Sequence, residues 1–121
     1  MTDLNHLAEE LSSVIDRVAA TFGDGAVPTV QGELDCDPAH PGHLLCWQYG
    51  VHLERAGEPE RRLVEEVLPS LERTGWRAQD RSTPRELIAR FSRDGADFTV
   101  HVTRSGHAVA IVGSTRAVTP V

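Results

Sequence analysis

Apolar residues recur at spacings of three and four from the start of the chain: Leu4, Leu7, Leu11, Val14, Ile15, Val18 and Phe22. One such stripe, at about 3.6 residues per turn, predicts an amphipathic helix with His6, Glu9 and Glu10 on its wet side. Thr2 or Asp3 can cap its start by accepting backbone N–H bonds, and Gly23 is placed to end it. Periodicity is then lost over residues 24–42. Three prolines and four acids there predict a linker, either an ordered loop or a flexible connector.

From His43 the period changes to two. Leu45, Trp47, Tyr49, Val51 and Leu53 alternate with Cys46, Gln48, Gly50, His52 and Glu54, which predicts a strand with the first set turned to a core. Gly57 breaks it, and Glu58-Pro59-Glu60 opens a helix with proline in the first turn and acids at its positive end. Leu63, Val64, Val67, Leu68 and Leu71 form the expected buried stripe, and Gly75 a stop. Pro69 lacks an N–H and crowds the preceding turn, so a kink or a restart near Ser70 is expected.

Trp76 to Asp80 predicts a short strand and Arg81 to Pro84 a turn. Leu87, Ala89 and Phe91 then alternate with Ile88, Arg90 and Ser92 up to Asp94-Gly95, a strong hairpin signal. The return strand carries Phe98, Val100 and Val102 against Thr99, His101 and Thr103. Ser105-Gly106 makes a second turn, and His107 to Gly113 a last apolar strand. The order α-β-α-β-β-β-β predicts one α+β domain over residues 1–121: a four- or five-stranded, mainly antiparallel sheet with two helices on one face.

The chain has 121 residues, one ordinary domain, with 18 acids against 12 bases and a net charge of -6. That balance argues against a nucleic-acid partner and an anionic membrane surface. All twelve bases are arginine, the usage of a GC-rich genome. No apolar run approaches the ~20 residues a spanning helix needs. The start Met1-Thr2-Asp3 has no basic n-region, so the expected address is the cytoplasm, or export if a leader has been removed.

Cys36, His40, His43 and Cys46 make a compact C-x3-H-x2-H-x2-C set that could hold a tetrahedral zinc ion. The same cysteines could be free thiols, as the cytoplasm favours, or a disulfide, as an oxidising compartment favours. These three states stay open; the expectation is no cofactor, with zinc as the alternative. Cys46 and His52 share a strand face but stand ~20 Å apart along an extended backbone, too far for a nucleophile–base pair. His52 and His101 would become neighbours if their strands pair. Gln48, His52, Arg90, Thr99, His101 and Thr103 would then line one polar sheet face, the candidate partner-binding surface. Glu65 and Glu66 diverge on their helix, and Gly113-Ser114-Thr115 lacks the glycines and lysine of a phosphate loop. Trp47 and Tyr49 fall on the inward side. Arg73, Arg77, Arg81 and Arg85 are interspersed with Glu72, Asp80 and Glu86, as on a salt-laced surface.

The stretches Cys46-Trp47-Gln48-Tyr49, Leu71-Glu72-Arg73-Thr74-Gly75-Trp76, Arg93-Asp94-Gly95 and Val109-Ala110-Ile111-Val112-Gly113-Ser114-Thr115 resemble small actinobacterial α+β proteins, many of them lipoprotein-like. The resemblance covers about residues 44–118 and implies the same layout but no chemistry. That group carries the layout behind a leader and a lipidated cysteine; here no leader is expected, and no cysteine follows Ser114-Thr115. With no catalytic set and no basic footprint, the expectation is a non-enzymatic acidic module that binds another protein with a basic surface, such as an immunity protein or a secretion chaperone. The alternatives are a metal-binding domain built on the Cys36–Cys46 loop, and a small ligand-binding domain or enzyme using His52, His101 and Arg90. Self-association is left open.

Overall fold

A computed structural model describes residues 3–104 and 106–120. Thr2 and Ser105, named above as cap and turn residues, lie outside them. Helix α1 (Leu4–Phe22) starts at Asp3, whose carboxylate accepts the Asn5 N–H at 3.1 Å, and ends at Gly23, whose N–H donates to the Ala19 carbonyl. Its stripe Leu11, Val14, Ile15, Val18 and Phe22 is buried as the spacing predicts.

Two strands follow, where one was expected. β1 (Val27–Asp35) and β2 (Leu45–Leu53) form an antiparallel hairpin. β1 lies within the stretch read as a linker, and it corrects the strand count: the sheet has six strands, all antiparallel, in the order β1-β2-β6-β5-β4-β3. The sequence concealed β1 because its alternation is confined to residues 30–35, has a glycine among its apolar members and buries no side chain fully, so it marks no core side. Pro28, Gly32 and a register shift between Pro28 and Val30 also read as breakers.

The second helix runs in three pieces: α2 (Pro59–Arg62), a π-helical turn (Leu63–Val67) and α3 (Leu68–Arg73). The Leu68 N–H reaches back five residues to the Leu63 carbonyl. The irregularity therefore sits just before Pro69 rather than at Ser70. A widened turn makes room for the proline ring against the preceding carbonyls, and Pro69 has no N–H to leave unpaired. The extra residue in that turn also changes which side chains face inward. Leu63, Val67 and Leu71 are buried, whereas Val64, expected in the stripe, is 57% exposed.

The remaining strands are β3 (Arg77–Asp80), β4 (Glu86–Arg93), β5 (Ala96–Thr103) and β6 (Val109–Ser114). Asp94-Gly95 joins β4 to β5 with both residues at positive φ, which glycine tolerates at no steric cost. Alternation turns Tyr49, Val51 and Leu53, Ala89 and Phe91, Phe98, Val100 and Val102, and Val109 and Ile111 to the helices, and all are buried. They form one core with the stripes of both helices. Trp76 packs edge-on against Phe98 at 4.9 Å between ring centres, and Phe91 stacks on Phe98 at 5.3 Å. Offset and edge contacts of this kind add to the burial of the rings themselves.

Tyr49 ties the sheet core to α1 through a polar contact: its hydroxyl donates to Asp16 Oδ1 at 2.7 Å. Burial, then the hydrogen bond to Asp16 and that carboxylate's charge, push the phenol up to about 12. The folded chain thus holds this proton more tightly than the unfolded chain, whose tyrosine titrates near 10. The resulting stability is fully present below about pH 10 and is lost as pH rises towards 12. At most roughly 2–3 kcal/mol rides on a shift of this size. Tyr49→Phe should flatten the decline in unfolding free energy across that interval, measured by urea titration at several pH values.

Candidate functional site

The side of the sheet away from the core carries every residue of the expected partner-binding set. Strand register orders them in rows across the sheet. One row runs His52, Ala110, His101, Ile88; the next Gly50, Val112, Thr99, Arg90, Gln79; a third Gln48, Ser114, Asp97, Ser92, Arg77. Thr103 stands opposite Glu86 at the end of β5. Gln48, His52, Arg90, Thr99, His101 and Thr103 are all half-buried, as expected of side chains standing on an uncovered sheet.

One expectation is corrected. His52 and His101 are not cross-strand neighbours, because β6 runs between β2 and β5, and both pair with Ala110. Two strand spacings put them about 10 Å apart. Arg90 and His101, beyond β6, each have their own acid instead. Arg90 Nη2 lies 3.1 Å from Asp97 Oδ2, and His101 Nδ1 lies 3.5 Å from Glu86 Oε2. His52 lines a cavity of about 540 Å³ at the corner with Asp24 and Glu54, to which neither Arg90 nor His101 contributes. The three residues of the enzyme alternative are thus not gathered around one pocket.

The Cys36–Cys46 set is likewise resolved differently from a metal centre. The two sulfurs form a disulfide at the loop end of the β1–β2 hairpin, with Cα atoms 5.9 Å apart. The thiolates that zinc requires are therefore consumed, and Cys46 is buried at 4% exposure. His40 turns to Asp37 at 3.2 Å, and the Asp35 carboxylate accepts the Gly42 N–H at 2.9 Å, closing the loop on itself. Among the described residues, no group of three or more His, Cys, Asp or Glu is placed to hold a metal ion.

A second concavity, of about 440 Å³, lies beside the first half of α1 on the core side of the sheet. Trp76 forms part of its wall, with the Arg93 guanidinium 4.7 Å over the ring and its Nη1 donating to the Thr74 carbonyl at 2.8 Å. Those partners leave Arg93 serving as packing.

Charge is not spread evenly. Residues 1–60 hold eleven acids and two arginines, whereas residues 61–121 hold seven acids and ten arginines. Within the sheet itself, β1 carries Glu33 and Asp35, both turned to the helix side, β2 carries no acid, and Arg77, Arg90 and Arg93 of β3 and β4 stand among Asp80 and Glu86. No family model, curated protein or solved structure matches this chain, and among the described residues no helix is long and apolar enough to cross a membrane. The class defined by fold and surface is thus an α+β domain with one helix-covered and one open sheet side.

Proposed function

We propose that the chain is a non-enzymatic recognition module that binds a basic protein through the open side of its sheet. The observation that carries this reading is the placement of both helices on one side, which leaves a broad polar surface of paired, partly exposed side chains uncovered. A net charge of -6 would speed encounter with a cationic partner and make the association salt-dependent. The disulfide supports an oxidising location, where such bonds persist. It therefore favours an immunity-type protein outside the cytosol over a cytosolic secretion chaperone.

The experiment uses the wild-type chain and Thr99→Lys as paired baits. Thr99 stands mid-sheet between Val112 and Arg90, so a lysine there adds positive charge at the centre of the surface without touching the core. A specific partner should be retained by wild type and lost with the variant, and its association rate should fall about tenfold or more as salt rises. A partner retained equally by both baits, or an on-rate indifferent to salt, contradicts the proposal.

A further inference from the structure

The outer edge of β1 is the most open hydrogen-bonding surface in the sheet. β1 lies at the end of the strand order, so no strand among the described residues pairs with its outer side. The Cys36 N–H donates to the Leu44 carbonyl, while Leu45 and Val118 exchange both of their backbone bonds on the far side of β2. Antiparallel pairs alternate between bonded and non-bonded positions, so Val30, Gly32 and Leu34 point their backbone groups at β2. Gln31, Glu33 and Asp35 point theirs outward, unpaired by any strand.

Sequence and charge qualify this edge further. β1 contributes nothing to the buried core, so core packing does not fix its position. It is held instead by the β2 ladder and by the disulfide at its last turn. The other edge, β3, has four residues and sits at the arginine-rich end. On β1, Pro28 and the register shift blunt the first half, leaving Gln31–Asp35 as the clean stretch. Its side chains alternate: Gln31, Glu33 and Asp35 towards the helix side, Val30, Gly32 and Leu34 towards the open side.

We infer that Gln31–Asp35 accepts an extended basic segment of another protein as a seventh strand. Backbone pairing would supply affinity and alternate side chains specificity, the usual division in strand addition. The matching segment carries Arg or Lys at alternate positions, opposite Gln31, Glu33 and Asp35 where the new hydrogen bonds form. Small apolar residues fall between them, against Val30, Gly32 and Leu34. The inference rests on the reading above that the partner is basic, and it locates the anchoring strand beside the open face.

The test is fluorescence anisotropy with the end-capped peptide Thr-Arg-Val-Arg-Val-Arg-Thr and its glutamate counterpart, on the full oxidised chain. The arginine peptide should bind at least about tenfold more tightly, with amide shifts in NMR spectra confined to residues 30–36. Gln31→Pro removes one outward N–H without taking a bond from the β2 ladder, and should cost about tenfold in affinity. Glu33→Lys, which leaves the backbone intact, should cost a similar factor. Equal affinity for both peptides, indifference to both substitutions, or shifts centred on Arg90 and His101 would overturn the inference. So would a dimer of the chain alone, seen by sedimentation and dissolved by Gln31→Pro, which would make a second copy the occupant. A protein partner that survives Gln31→Pro but is lost with Thr99→Lys would sink the edge and leave the open face standing.

Discussion

Replacing both Cys36 and Cys46 with alanine should lower the unfolding free energy by about 3 kcal/mol, the value expected from loop closure for cysteines ten residues apart. In a chain of this size that is a substantial share of total stability. The effect should appear as a lower urea midpoint with a slightly steeper slope, since the unfolded chain without the cross-link exposes more surface. Cys46 is buried, so part of the loss reflects the packing of two sulfurs as well as the restraint on the unfolded chain. Reduction of the wild-type chain should reproduce most of the shift, while alanine at exposed His40 should not. Amide exchange should then rise first in β1, whose register no core contact enforces. A double variant as stable as wild type would show that the hairpin closes without its staple.

Gly113→Ala is expected to be nearly as damaging, by about 1–3 kcal/mol and at the upper end of the cost of overpacking. Gly113 pairs with Tyr49 on one side and Phe98 on the other, facing the core. A methyl group there would overlap the Phe98 Cβ and Cα and the Asp97 carbonyl. These atoms belong to, or are fixed by, the β5 backbone, so relief requires β5 and β6 to part. The same substitution at Gly32, where nothing lies within 4 Å, adds no overlap and provides the comparison, although its φ of 156° carries a cost of its own. Thermal melts of the two variants would separate crowding from backbone conformation. A Gly113→Ala variant that melts like wild type would mean that the Phe98 contact carries no weight.

Much of this architecture is readable wherever an element buries one side. The stripe from Leu11 to Phe22 and the alternation through β2, β4, β5 and β6 report directly on the core, and the structure places them there. β1 escaped because its alternation is short, includes Gly32 and buries no side chain fully. Val64 was misplaced because the π turn, an outcome of Pro69, changes the helical period locally. The open face was legible in composition but not in arrangement. Nothing in residues 43–54 or 96–103 indicates that β6 will come between them, and that separates His52 from His101. The fate of the cysteines depends on the β1–β2 pairing, which sets their Cα atoms at 5.9 Å, and so was hidden along with β1.

The central position of β6 has a consequence for biosynthesis. Within the sheet, among the described residues, the β1–β2 hairpin joins the β3–β4–β5 meander through β6 alone. Until residues 109–114 leave the ribosome, Tyr49, Val51 and Leu53 have no neighbour to complete their side of the sheet. Co-translational assembly should therefore stall as two sticky halves and finish in one late step. Nascent chains that stop short of Val109 should engage holdase chaperones, and emergence of residues 109–114 should free them.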